Sequence, residues 1–140
     1  MNSHKKPAVG ENGCEVSRIP GHHTLACNQE LRTVSALPWN LHPEFAGVAL
    51  RHLVTGADTG GHLSLHHVQI DPGCSIGDHT HAGMVEIHDV LSGGGICMLE
   101  GMEIQYLPGT MGIMPADQVH SITTGDTGML LLATFSPPLM

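Results

Sequence analysis

A chain of 140 residues, 41% hydrophobic and 13% charged, fits one domain with an ordinary core and leaves little room for two. Its formal charge of −8 excludes the basic footprint of a nucleic-acid binder and sets it against an anionic membrane surface, and no apolar run reaches transmembrane length. The aromatic residues are Trp39, Phe45, Tyr106 and Phe135, so the core is aliphatic, while 18 Gly and 9 Pro argue for tight turns over a helical bundle.

Residues 1–30 are polar, contain Gly and follow no period; they read as an irregular, partly ordered N-terminal arm. Lys5 and Lys6 are followed by no apolar stretch, so no signal peptide is expected there and a cytoplasmic location follows. Cys14, Cys27, Cys74 and Cys97 lack CxxC spacing and read as free thiols. Residues 31–140 read as a single domain. In it, Pro38, Trp39, Pro43 and Phe45 mark an irregular wrap that packs Trp39 against the strands that follow, with a short turn near 41–46. From residue 48 onward the pattern is short apolar runs and turns: Val48–Val54, Leu63–Ile70, Val85–Leu91, Ile96–Leu99, Met102–Leu107, Gly112–Met114, Val119–Thr123 and Met129–Phe135. Asp71-Pro72-Gly73, Gly93-Gly94-Gly95 and Pro115 punctuate them, and Glu100-Gly101 is a hairpin signal. About eight strands with turns every eight to ten residues predict an all-β sandwich or barrel.

Twelve His is the unusual number, and nine of them lie between His42 and His120. Histidine is the commonest metal ligand. His79 and His81 are two apart, which on a strand puts both imidazoles on one face, a costly arrangement to bury unless something binds them. Ala82-Gly83 can turn the chain so that Glu86 returns on the next strand, and His120 opens another strand after the Pro115 turn. Three imidazoles and one carboxylate suit one divalent ion of Fe, Mn, Ni, Co or Zn. In octahedral geometry they leave positions open for water, substrate or dioxygen.

At this point the chain resembles the cupin family. Gly73-x5-His79-x-His81-x4-Glu86-x6-Gly93 matches the first motif of that family at every fixed position. Gly109-x5-Pro115-x-Asp117-x2-His120-x3-Thr124 matches the second at Gly, Pro and His. It departs at Asp117, where the family usually has Gly, and at Thr124, where it usually has Asn; neither is a ligand position. The resemblance covers roughly residues 63–136. It implies a double-stranded β-helix, the small jelly-roll barrel, and implies that His79, His81, Glu86 and His120 hold one divalent metal ion inside it. Homodimers are common in the family, and edge strands with an N-terminal arm give a route to one.

Several further residues are candidates for chemistry. Glu86, His88 and Val90 share one strand face, so His88 points inward with Glu86. In several metal-dependent cupin lyases that position is a Tyr suited to proton abstraction; here a neutral imidazole is a candidate general base, or else a ring that hydrogen-bonds Glu86. His66 and His67 face opposite sides of one strand, and a structural role is expected for both. Arg51 is the only Lys or Arg after position 32; inward it would pair with a substrate carboxylate or phosphate, although a solvent-facing side chain is the expectation. Tyr106 is read as a barrel-rim side chain or a pocket donor. The Met residues read as core filler.

The leading function is a metal-dependent enzyme acting on a small carboxylate or carbonyl compound, with the metal as Lewis acid and His88 shuttling the proton in a lyase, isomerase or decarboxylase reaction. The alternatives are an Fe(II) dioxygenase and a non-enzymatic cupin that binds or senses a metal or small molecule.

Overall fold

The structure, a computed structural model, describes residues 23–140. Ten strands follow one another: β1 (Thr24–Cys27), β2 (Glu30–Thr33), β3 (Asn40–Leu41), β4 (Val48–Val54), β5 (Ser64–Ile70), β6 (Ser75–His79), β7 (Val85–Leu99), β8 (Met102–Tyr106), β9 (Met111–Met114) and β10 (His120–Ser136). Among the described residues the only helical pieces are single 3-10 turns at Val34–Ala36 and Gly56–Asp58, and no helix is long and apolar enough to cross a membrane.

The barrel follows from the two-residue period of its strands. On β5, Ser64, His66, Val68 and Ile70 are buried while Gln69 is exposed. On β10, Met129, Leu131, Ala133 and Phe135 are buried in alternation. These inward sets meet Val48, Ile76, Val90, Cys97 and Met114 in one apolar core.

Two strands organise the rest. The first half of β7 pairs with β9 and with the second half of β10, while its second half pairs with β8 and with the first half of β10. The second half of β10 also pairs with β5, which continues the sheet to β4 and β3. Its first half pairs with β6. The long strands therefore join two halves of the eight-stranded sheet, one with β6 and β8 and one with β3, β4, β5 and β9, which form the two sheets of the all-β jelly roll of a double-stranded β-helix.

The strand positions correct the sequence reading in three places. The runs 85–91 and 96–99 are one strand, and so are 119–123 and 129–135, because glycine bends an extended chain without ending it. At Gly93 (φ +76) an added Cβ would overlap the Gly128 carbonyl, so the two long backbones touch there. Residues 24–33 form a hairpin where arm and wrap were expected; its two-residue loop, Asn28 (φ 47) and Gln29 (φ 66), has the left-handed geometry of a type I′ turn without the usual glycine. The short strand β3 was not expected either, and the strand on which His79 and His81 were placed ends at His79, as β6. The part of the arm before residue 23, with Cys14 and His22, lies outside the described residues.

Arg32 ties the hairpin to the barrel through hydrogen bonds of 2.7 and 2.8 Å to Asp58, whose carboxyl is held well below the usual carboxylate range by them. Trp39 lies over Arg51 and His67 as the wrap requires.

Gly93→Ala is expected to lower stability by at least about 2 kcal/mol, since a left-handed backbone costs an L-residue roughly 1–2 kcal/mol and the Gly128 overlap adds to it. An unchanged urea midpoint would show that the β7–β10 crossing does not depend on this contact.

Candidate metal centre

His79 closes β6 and His120 opens β10; they are paired residues with ring centroids 4.1 Å apart. Glu86 is the second residue of β7, opposite Phe135 of β10. His81 is not on the strand with His79, as the two-residue spacing had predicted, but in the loop after it, which Gly83 (φ +65) turns toward β7. Hydrogen bonds hold it there. The His81 carbonyl accepts the Met84 N–H at 3.3 Å and the Asp117 N–H at 3.2 Å, and the Asp117 carboxylate accepts the Gly83 N–H at 3.1 Å. Asp117 takes φ +67, a conformation that Asp tolerates better than most residues, and so does both jobs of this turn. Thr124 also fits: its hydroxyl donates to the carbonyls of Asp71 and Cys74, both at 3.0 Å.

His79, His81, Glu86 and His120 each offer one ligand atom, and these atoms lie within 4.8 Å of one another. Nδ1 of His79 donates to the Gly77 carbonyl at 2.7 Å and Nδ1 of His120 to the Gln118 carbonyl at 3.2 Å. A carbonyl can only accept, so each ring carries its hydrogen on Nδ1 and turns Nε2 toward the site. Nε2 of His120 and Oε1 of Glu86 are 3.1 Å apart. Two lone-pair atoms at that distance need a cation between them, a proton or a metal ion. The donor set thus fits a divalent metal.

The electrostatics agree. Burial lowers the pKa of His79 and of His81, which keeps both rings neutral and able to ligate. Burial alone would raise Glu86, but the neighbouring His88 imidazole and the hydrogen bonds from His120 and His88 outweigh it and hold the carboxyl below the usual carboxylate range. His120 goes the other way: burial lowers it, but the bonds to Glu86 and Gln118 raise it above the ordinary histidine value. The rings of Phe45 and Phe135 pack against His79 and His81, at centroid distances of 6.0 and 5.1 Å, and form an apolar wall.

Glu86, His88 and Val90 all face inward and are buried. Nε2 of His88 is 3.0 Å from Glu86 Oε1, and its Nδ1 is 2.8 Å from the Tyr106 hydroxyl. Tyr106 corrects the sequence reading: it is not on the rim but has no exposed surface at all, and its hydroxyl lies between His88 and the Cys97 thiol. Gly112 makes the space, since a Cβ there would overlap that hydroxyl. Strand parity could have found this partner, because Ile104 and Tyr106 alternate with the exposed Glu103 and Gln105 along β8.

Arg51 is neither inward nor solvent-facing. It is buried on the opposite face of β4 from His52, under Trp39, and away from the four ligands. His66 points into the barrel, with Nδ1 2.8 Å from His52 Nδ1 and Nε2 2.8 Å from Ser64 Oγ. Burial lowers its pKa to about 4, so it is a neutral, hydrogen-bonded core histidine. His67 faces the other way, beside Arg51.

The Cupin domain family matches residues 66–135, half of the chain. Among solved structures, one described as a predicted oxalate decarboxylase from Thermotoga maritima is 24% identical with a TM-score of 0.68, covering 74% of this chain and 95% of its own. KdgF from Halomonas sp. is 23% identical with a TM-score of 0.62, over 71% of this chain and 86% of that one. The polyketide cyclase RemF from Streptomyces resistomycificus is 20% identical with a TM-score of 0.65, over 74% and 75%. These likenesses show the fold. No curated protein resembles the chain closely enough to count as a relative.

Asp117→Gly should relieve the backbone but release Gly83, and metal affinity in a chelator competition is expected to fall about tenfold, as for losses of ligand support elsewhere. Asp117→Asn keeps an acceptor for Gly83 and should stay near the parent. Equal affinity in both variants would show that the tether does not position His81.

Proposed function

We propose that this chain, which belongs to the cupin family, is a metal-dependent enzyme that removes a proton from a small carboxylate or carbonyl compound, in a lyase, isomerase or decarboxylase reaction. One observation carries the reading: four ligand atoms converge within 4.8 Å, and a further buried imidazole, His88, touches the ligand carboxylate. His79, His81, Glu86 and His120 would hold one divalent ion of Fe, Mn, Ni, Co or Zn, which would supply Lewis-acid chemistry toward a substrate oxygen. Decarboxylase and cyclase descriptions among the structural neighbours support this class of reaction.

The chain's own groups handle the proton. With its hydrogen on Nε2, His88 only holds Glu86. With its hydrogen on Nδ1, donated to the Tyr106 oxygen, the Nε2 lone pair faces the Glu86 carboxylate at 3.0 Å, a pair that calls for a proton between them. Tyr106 allows the second state because its own hydrogen can turn to the Cys97 sulfur. His88 Nε2 then accepts a proton from substrate, and the adjacent Glu86 carboxylate stabilises the imidazolium. Phe45 and Phe135 keep water away from the rings they cover.

The same reading makes the chain a cytoplasmic homodimer. Cys27, Cys74 and Cys97 are free thiols, which suits a reducing compartment. Met111 and Ile113 are 65% and 63% exposed on β9, a strand with a single partner, which favours a covering copy. Light scattering at the monomer mass would overturn the dimer.

Tag-free protein is expected to carry about one equivalent of divalent metal by elemental analysis, and Glu86→Gln to lose it. Protein that neither holds nor takes up metal would sink the reading. Turnover that persists with Zn²⁺ and without oxygen supports proton chemistry, whereas strict need for Fe²⁺ and oxygen would replace it with a dioxygenase. His88→Ala should keep the metal and lower kcat by about a hundredfold or more, the usual range for general-base removal. Metal retained with normal turnover would remove His88 from the chemistry, and metal lost would make it a positioning residue for Glu86.

A further inference from the structure

The face of β4 and β5 that looks away from the metal ligands carries a second cluster. Arg51 and His67 are paired residues there, 9% and 4% exposed. Trp39 covers both: the guanidinium carbon lies 4.3 Å from the centre of its ring, and the His67 ring is stacked at 6.3 Å. A cavity of about 370 Å³ opens beside them, and none of the four metal ligands lines it.

The cluster lacks a counter-charge. Arg51 keeps its positive charge when buried, and burying a charge without a partner is unfavourable. Among the described residues no carboxylate is in ion-pair distance of it, whereas Arg32 pairs with both Asp58 and Glu30. Arg51 Nε and His67 Nδ1 are both buried without a hydrogen-bond partner. In a chain of formal charge −8, a buried cation with no ion-pair partner among the described residues, under an aromatic ring, is open to an anion from outside.

The cavity narrows the class of anion. Pro72, Met129 and Leu130 give an apolar wall facing Trp39, and its volume falls within the roughly 300–1,000 Å³ of small-molecule sites. Asp71 is exposed at the rim and disfavours a second negative charge. We propose that this cavity binds a small organic monocarboxylate, with its carboxylate on Arg51 and His67 and its apolar body between Trp39 and the Pro72–Leu130 wall. The site is separate from the metal centre and stands whether or not the metal reading does.

Trp39 is the only Trp of the chain, so its emission reports on this cavity alone. The test is a fluorescence titration of the full chain, treated with chelator, with cyclohexanecarboxylate as probe and cyclohexanecarboxamide as the neutral control. The acid should give a saturable change, and the amide should bind at least about tenfold more weakly, because only the acid supplies charge to the fork. Arg51→Gln should abolish the response. Arg51→Lys keeps the charge, guards against a variant that does not fold, and should weaken binding about tenfold through loss of the planar fork. Glu86→Gln should bind as the parent does. The proposal fails if the acid gives no saturable change, if the amide binds equally, if both Arg51 variants bind as the parent does, or if Glu86→Gln abolishes the response.

Discussion

Glu86 is 5% exposed and must still be ionised to hold a cation, and a bare charge inside a barrel costs several kcal/mol. The surroundings meet that cost with imidazoles: His88, His120 and His81 stand 3.0, 3.1 and 3.6 Å from one carboxylate oxygen. Each of them needs its own support. His120 is oriented by a backbone carbonyl, His88 by Tyr106, and His81 by the turn that Asp117 ties down. The buried charge therefore reaches into parts of the chain far apart in sequence, from the loop after β6 to the end of β8.

Those parts meet because β7 and β10 run side by side through both sheets. Glu86 sits on the first half of β7, but His120 sits on the first half of β10, which pairs with the other half of β7. Only strands that change sheets can bring the two into contact across the interior. The change requires backbone without side chains at the crossing: a Cβ at Gly93 or at Gly95 would overlap a carbonyl of β10. The glycines that look like turn punctuation are thus the condition for the ligand geometry.

This explains what the sequence made legible. The cluster of His79, His81, Glu86 and His120 was readable because the four stand at spacings that the fold brings together, and the strand runs were readable because alternation is local. The continuity of β7 and β10 was not, since a glycine that bends a strand and one that ends it look alike without the partner backbone. The Asn28-Gln29 turn was hidden because neither residue advertises a left-handed backbone as glycine does. Arg51 was misplaced for another reason. Whether a strand residue faces core or solvent depends on what covers each face, and the cover on the outer face of β4, Trp39, arrives from a segment with no period of its own.

The alternation of β5 also separates two kinds of polar burial. His66 and His67 are neighbours in the chain, yet one enters the barrel and the other leaves it. The pKa of each falls to about 4, chiefly by burial, so neither is held as a cation. His66 spends both ring nitrogens on His52 and Ser64, which closes its hydrogen bonds within the protein. Among the described residues His67 Nδ1 has no hydrogen-bond partner, and neither has the neighbouring Arg51 Nε. A core that satisfies the inward member of such a pair and leaves the outward one open has two polar surfaces with different demands. The inner one brings lone pairs together around room for a cation, and the outer one leaves a fixed positive charge open to an anion.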